Sequence, residues 1–137
     1  MYQYLYVIGE EDLQPFYNHL NHAKVLTFLE RARAQFLDDI KCPLPTLISE
    51  GIFSVVASIE VKYKRELFAG EILVTCENIE VRGKSLFVKQ RIYNSKRKLA
   101  IEAVVEIMFL RAATKRAGNV PEKIADKAEF KGSSEAL

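Results

Sequence analysis

The chain has no tryptophan, only two histidines, two cysteines and six glycines among its 137 residues. Cys42 and Cys76 belong to no CxxC pair and no His/Cys cluster, so nothing supports a metal site and two reduced thiols are expected. No apolar run approaches the roughly 20 residues that span a bilayer. The opening Met1-Tyr2-Gln3-Tyr4-Leu5 lacks the basic region and apolar stretch of a secretion signal, and the expected location is the cytoplasm. A dominant charge is missing too. Twenty Lys and Arg against 18 Asp and Glu leave a net +2, too little to imply a nucleic-acid partner. With 49% hydrophobic residues, eight Phe and six Tyr, the body of the chain is not disordered, and its length suits one core rather than two.

What is present is a pattern whose period changes. Tyr2, Tyr4 and Tyr6 alternate with their neighbours, so residues 2–8 read as a short strand that ends at Gly9. Residues 9–20, with Pro15 and several polar groups, read as a loop. From residue 21 to 40 the apolar residues Leu26, Leu29, Ala32, Phe36, Leu37 and Ile40 fall at helical steps, with Asn21 as N-cap. Cys42-Pro43-Leu44-Pro45 cannot continue that helix. After Gly51 the period becomes two. Phe53, Val55, Ala57, Ile59, Val61 and Tyr63 mark one face of a strand, with Ile52 and Val56 assigned to the other. Ile72, Val74 and Cys76 begin a second strand; Leu86, Val88 and Ile92 mark a third, and Leu99 to Phe109 a fourth. Arg82-Gly83 and Asn94-Ser95-Lys96 supply tight turns, so these strands pair antiparallel without a βαβ crossover. The fold class is α+β: one long helix wrapped by a curved antiparallel sheet of five or more strands. Apolar residues on both sheet faces call for a second subunit, as a homodimer or a dimer of dimers. Residues 1–121 form the domain, and 122–137 a charged C-terminal extension that docks and then frays near Gly132-Ser133-Ser134.

The run from Leu20 to Arg33, containing Asn21-His22-Ala23 and then Glu30-Arg31-Ala32-Arg33, resembles the helix signature of the hotdog-fold 4-hydroxybenzoyl-CoA thioesterase-like family. Asn18-His19-Leu20-Asn21 is similar to a step of the acyl-ACP thioesterases of the same superfamily. Tyr63 to Glu71 resembles the family's connection between strands, and Gly83-Lys84-Ser85 its next turn. The resemblance spans roughly residues 2–121. It implies a hotdog fold and hydrolysis of an acyl thioester carried by coenzyme A or acyl carrier protein, without metal or redox cofactor, at a site between two subunits.

One departure touches the chemistry. The family's general base or nucleophile is an aspartate ahead of the helix; here Gln14 stands at that position if one inserted residue is allowed, and Pro15 if not. Glutamine cannot take a proton from water. Thioester hydrolysis needs a polarised carbonyl and an activated water. The resemblance puts the carbonyl at the helix N-terminus, near the amides of His22 and Ala23, where the helix dipole is positive. The polar candidates around it are Asp12, Gln14, His19 and Asn21. His19 is either a base or water-orienting group, or a loop histidine bonded to backbone. Asp12 either slides into the vacant carboxylate position or is a solvated loop acid. His22 is expected to start the helix and hydrogen-bond across the subunit contact. Glu30 and Arg33 share a stripe with Leu26 and Leu37, so they should pair with each other or with a partner subunit. The functional alternative has Arg33 holding the carbonyl and Glu30 as a reserve base. Tyr63, Arg65, Arg82 and Lys84 are assigned to substrate binding, the basic groups gripping coenzyme A phosphates or the acidic face of a carrier protein. The rival readings are a non-catalytic acyl-thioester binding protein and a hotdog dehydratase or hydratase.

Overall fold

The computed structural model describes residues 1–132. Seven strands form one sheet: β1 (Tyr2–Ile8), β2 (Ile52–Tyr63), β3 (Gly70–Arg82), β4 (Ser85–Tyr93), β5 (Leu99–Arg111), β6 (Arg116–Gly118) and β7 (Phe130–Gly132). The order is β1-β3-β4-β5-β2, all antiparallel, with β6 added to β5. β7 pairs parallel with the end of β3, Glu80 opposite Phe130, the one exception to the antiparallel pattern. The expected tail beyond Gly132 lies outside the described residues.

The long helix α1 (His22–Asp39) lies in the concave face of this sheet. Its inward side is Val25, Phe28, Leu29, Ala32, Phe36 and Leu37, while Leu26 is 42% exposed and off the core face assigned to it. Each such large apolar side chain is worth roughly 1.5–3 kcal/mol when buried. The tyrosines of β1 fasten the helix from one side. Tyr4 donates to Asp39 Oδ2 at 2.6 Å, Tyr6 donates to Gln35 Oε1 at 2.9 Å, and Tyr2 packs edge-on against Phe36. Burial, with the Asp39 carboxylate beside it, pushes the Tyr4 phenol well above its usual range, so it remains a donor.

Two local features differ from the pattern read in the sequence. α1 ends one step before the prolines: Lys41 takes φ 63, and the amides of Lys41 and Cys42 bond back to Asp38 and Leu37, a Schellman closure. Pro43 and Pro45 then start a second helix, α2 (Leu44–Ser49), because a proline in the first turn forfeits no intrahelical bond. In β2, a bulge between Val56 and Ser58 breaks the period of two. Val56 pairs with Ile107 and Ile59 with Val105, both core residues of β5, so Val56 and Ile59 share the inner face. Phe53 and Val55, opposite Leu110 and Met108, turn outward. The single β2 face inferred from spacing is therefore two half-faces. At the C-terminus, α3 (Glu122–Ala125) buries Ile124 completely, and Val120 is also in the core.

Candidate active site

Residues 9–21 are drawn into position by backbone bonds. Glu10–Asp12 form a 3-10 turn in which the Gly9 amide donates to Asp12 Oδ2 at 3.0 Å. Leu13 bridges Leu20, and Gln14 and His19 close the intervening loop through Gln14 N–H to the His19 carbonyl at 2.8 Å. Pro15 and Phe16 fill the two central turn positions; Phe16 sits at φ 69 and is fully exposed. Proline first and positive φ second is the arrangement of a type II turn, with glycine replaced by a bulky residue. The far side of the loop is held by the bridge between His19 and Phe68 and by Leu20 N–H on the Leu67 carbonyl, 2.7 Å.

This network stations the start of α1. Asn21 donates its amide to the Asp12 carbonyl at 3.0 Å, while its side-chain Oδ1 accepts from Ala23 N–H at 3.0 Å. The Ala23 amide is thus already capped and offers a carbonyl nothing unless the cap leaves. Lys24 N–H is likewise bonded to the Asn21 carbonyl. The first helical amide, His22 N–H, is the donor left for a ligand.

A cavity of about 370 Å³ opens beside this helix start, bounded by His19, His22, Val25, Tyr63, Lys64 and Arg65. His19 Nδ1 lies 3.2 Å from the Leu20 carbonyl. A carbonyl oxygen can only accept, so Nδ1 carries the hydrogen and Nε2 of the neutral ring holds the lone pair. Glu66 Oε1 lies 3.9 Å from Nε2, beyond hydrogen-bond reach, and Tyr17 packs against the ring at a tilt. Tyr63 donates to the His22 carbonyl at 3.2 Å, and Arg65 Nη1 to the Leu99 carbonyl at 2.6 Å, which ties the segment after β2 to the start of β5.

The sequence-derived candidates separate into three groups. His19, Asn21, His22, Ala23, Tyr63 and Arg65 gather here. Asp12 is close but engaged: its side chain is 13% exposed, one oxygen caps Gly9 and the other lies 3.8 Å from Lys24 Nζ. It is not the solvated acid of one sequence reading, because the 3-10 turn folds its carboxylate back on the backbone. Gln14 contributes through its backbone, as the first residue of the turn. Glu30 and Arg33 lie elsewhere, eight and eleven residues beyond His22, so Arg33 sits about 16 Å down the helix at 1.5 Å per residue. They form no ion pair with each other among the described residues. Instead Arg33 Nη1 donates to Gln90 Oε1 at 3.0 Å. Arg82 and Lys84 lie at the far end of β3, roughly 40 Å from Gly70 at about 3.3 Å per residue. There Arg82 pairs with Glu80 and stacks on Phe87, and Lys84 donates to the Ala117 carbonyl. Within one chain they do not reach this cavity.

Gln90 was not singled out from the sequence, since one amide in a strand of apolar and basic residues carries no signal. It is completely buried, and its Nε2 donates to the Leu29 carbonyl at 3.0 Å and to Cys76 Sγ at 3.4 Å. Cys76 is itself fully buried, and burial pushes its thiol up to about 12, excluding a nucleophilic thiolate at neutral pH. No cluster of three His, Cys, Asp or Glu able to hold a metal occurs among the described residues, and no helix among them is long and apolar enough to cross a membrane.

Comparison with known proteins agrees with this fold. The chain is similar to the acyl-CoA thioester hydrolase YbgC of Shigella flexneri, 31% identical over 111 residues that cover 80% of this chain and 81% of that protein. Among solved structures it resembles a probable thioesterase from Bartonella henselae, with TM-score 0.74 and 25% identity over 87% of this chain and 98% of the other. It also superposes on a Staphylococcus aureus protein solved in complex with CoA, with TM-score 0.83, 17% identity, and 91% and 79% of the two chains covered. The family model of the thioesterase-like superfamily matches residues 7–128. A curved antiparallel sheet around one long helix and a match over almost the whole chain lead to one conclusion: the chain belongs to the thioesterase-like superfamily and has its hotdog fold.

Proposed function

We propose that the protein hydrolyses acyl-CoA thioesters at the start of α1, with His19 as the base. The observation that carries this reading is the orientation of His19. Its Nδ1–H is spent on the Leu20 carbonyl, which leaves the Nε2 lone pair free on a side chain that lines the same cavity as His22. A thioester carbonyl placed against His22 N–H lies at the positive end of α1, where developing negative charge is stabilised. Water held between the carbonyl carbon and Nε2 gives its proton to His19 as its oxygen bonds to carbon. Collapse of the tetrahedral intermediate breaks the C–S bond, and the sulfur leaves with the proton that His19 returns. No carboxylate is required, in keeping with Gln14, or Pro15 without an inserted residue, at the position of the family's acid.

Lys64 and Arg65 at the cavity mouth suit the phosphates of coenzyme A, and the relatives' names point to the same carrier. Acyl carrier protein is the alternative carrier. We also place a second copy of the chain along β2. That strand has twelve residues, its outer edge is unpaired among the described residues, and Phe53, Val55 and Val56 are 41%, 38% and 49% exposed. A long apolar edge of this kind is an aggregation hazard unless covered. Light scattering at micromolar concentration should give at least twice the 15.6 kDa chain mass; a monomer would contradict the assembly.

The activity is tested by measuring free thiol released from a panel of acyl-CoA and acyl-carrier-protein thioesters by the purified protein. Release from the CoA series is expected. No release from any member, with binding retained, would favour a non-catalytic binding protein. Conversion of enoyl or 3-hydroxyacyl substrates without thiol release would favour a hydratase.

A further inference from the structure

A second cavity, separate from the first, lies between α1 and β2. His22 lies beside Tyr63 at one end of the two elements, and the second half of α1 lies over Ser54–Val56 at the other. There a cavity of about 310 Å³ is walled by Phe36, Leu37, Val56, Val88 and Ile107, with Arg33 and Glu30 as its charged side chains. The Arg33 guanidinium is half-buried and holds five N–H donors, of which the structure engages one, on Gln90. Its acceptor is fixed from behind. Gln90 Nε2 donates to the Leu29 carbonyl and to Cys76, which orients the amide so that its Oε1 accepts from Arg33. No carboxylate among the described residues forms an ion pair with Arg33.

We propose that this cavity is the far end of an acyl chamber, that it reads a hydroxyl on the acyl chain, and that Gln90 is the positioning residue that aims Arg33 at it. The inference rests on the hydrolase reading of the helix start. A donor-only cation and an acceptor-only carboxylate on one wall match a group that accepts from the first and donates to the second, which a hydroxyl does. A chain ending in carboxylate would meet Glu30 as a like charge. A plain alkyl end would desolvate the guanidinium and give it nothing. The span selects among hydroxylated acyl groups. Arg33 starts about 16 Å along the helix from His22, and its side chain leans back toward the helix start. An extended chain advances about 1.2 Å per bond, as a polypeptide backbone does, so an aliphatic acyl group on the order of ten carbons reaches it. A single aromatic ring at the helix start does not.

The test compares kcat/KM for decanoyl-CoA and 10-hydroxydecanoyl-CoA, read as thiol release. The hydroxylated substrate should be favoured about tenfold or more, chiefly through KM, because a site built to bond a hydroxyl penalises the analogue without one. Arg33→Met and Gln90→Met should each bring the ratio towards one, and Gln90→Glu, which keeps the acceptor, should restore part of it. A residue with only a structural role would lower both rates and leave the ratio unchanged, and that outcome sinks the positioning role. If Gln90→Met fails to fold, Arg33→Met decides alone, since that side chain is half-exposed. Equal kcat/KM for the two substrates overturns the chamber while leaving the hydrolase standing. So does an unchanged ratio in an Arg33→Met protein that has lost its dimer, which would assign Arg33 to the subunit contact. Calorimetry with the free acids decanoate and 10-hydroxydecanoate separates the two claims. An Arg33-dependent preference for the hydroxy acid without turnover of any thioester would retain the chamber and remove the hydrolase.

Discussion

The two ends of the α1–β2 seam are built in opposite ways. At the start of α1 the polar groups are set by many bonds, most of them within residues 9–21: Gly9 to the Asp12 carboxylate, Asn21 to Asp12 and Gln14 to His19 through the backbone, with Leu20 on Leu67 anchoring the loop from outside. Eleven residues on, one cation is set by one amide from a distant strand, Arg33 on Gln90 across 57 positions of sequence. The first end leaves an amide and a histidine lone pair open beside water. The second places a guanidinium among apolar walls. The proposed chemistry, which needs a free donor and a proton acceptor, draws on the first, and the proposed selection by a desolvated contact on the second.

Substitutions at the two ends should therefore separate, and the largest effect is expected at His19. His19→Ala should lower kcat about 10²- to 10⁴-fold with an unfolding midpoint close to wild type, because the side chain is partly exposed and its loop is closed by backbone bonds. A collapse of the fold instead would erase the distinction between the ends. Asn21→Ala removes the N-cap and should cost about 1 kcal/mol of stability, read by denaturant unfolding, together with a clear fall in turnover as the helix start frays. Unchanged stability would mean that the cap is dispensable. Gln14→Asp should be tolerated and should raise thiol release, since it returns a carboxylate to the turn ahead of the helix; lost activity would show that the turn does not face the reacting carbonyl. The smallest effect concerns Cys76, which should resist alkylation by iodoacetamide near neutral pH until the protein unfolds, its thiol being fully buried and pushed up to about 12. Rapid labelling in the native protein would contradict the burial behind Gln90.

How much of this was legible beforehand follows the range of each interaction. The strand-helix-strand order, Asn21 as cap and the hairpin turns were readable because they are local. The β2 bulge was not: Val55, Val56 and Ala57 are all apolar, so no residue marks where the period slips. The prolines at 43 and 45 were read as a stop, and they also begin α2, because the penalty on proline falls on helix interiors and not on first turns. At the site, the grouping of His19, Asn21 and His22 was visible from spacing and resemblance. The engagement of Asp12 with Gly9 depends on a 3-10 turn whose acidic composition looks solvated. The Arg33–Gln90 contact joins helix to strand, and no pattern within either segment announces it.

The central claim is that thioester hydrolysis here runs on His19 and the helix start, without a carboxylate from the loop. The most direct measurement is thiol release by Asp12→Asn beside His19→Ala, both checked for native unfolding. Asp12→Asn keeps the acceptor for Gly9 and loses only a partly exposed contact with Lys24, worth at most about 1 kcal/mol, so its kcat should stay within a few-fold of wild type while that of His19→Ala falls by at least about 10². A folded Asp12→Asn protein with abolished turnover, next to an active His19→Ala, would show that Asp12 is the base and that the acid-free site is wrong.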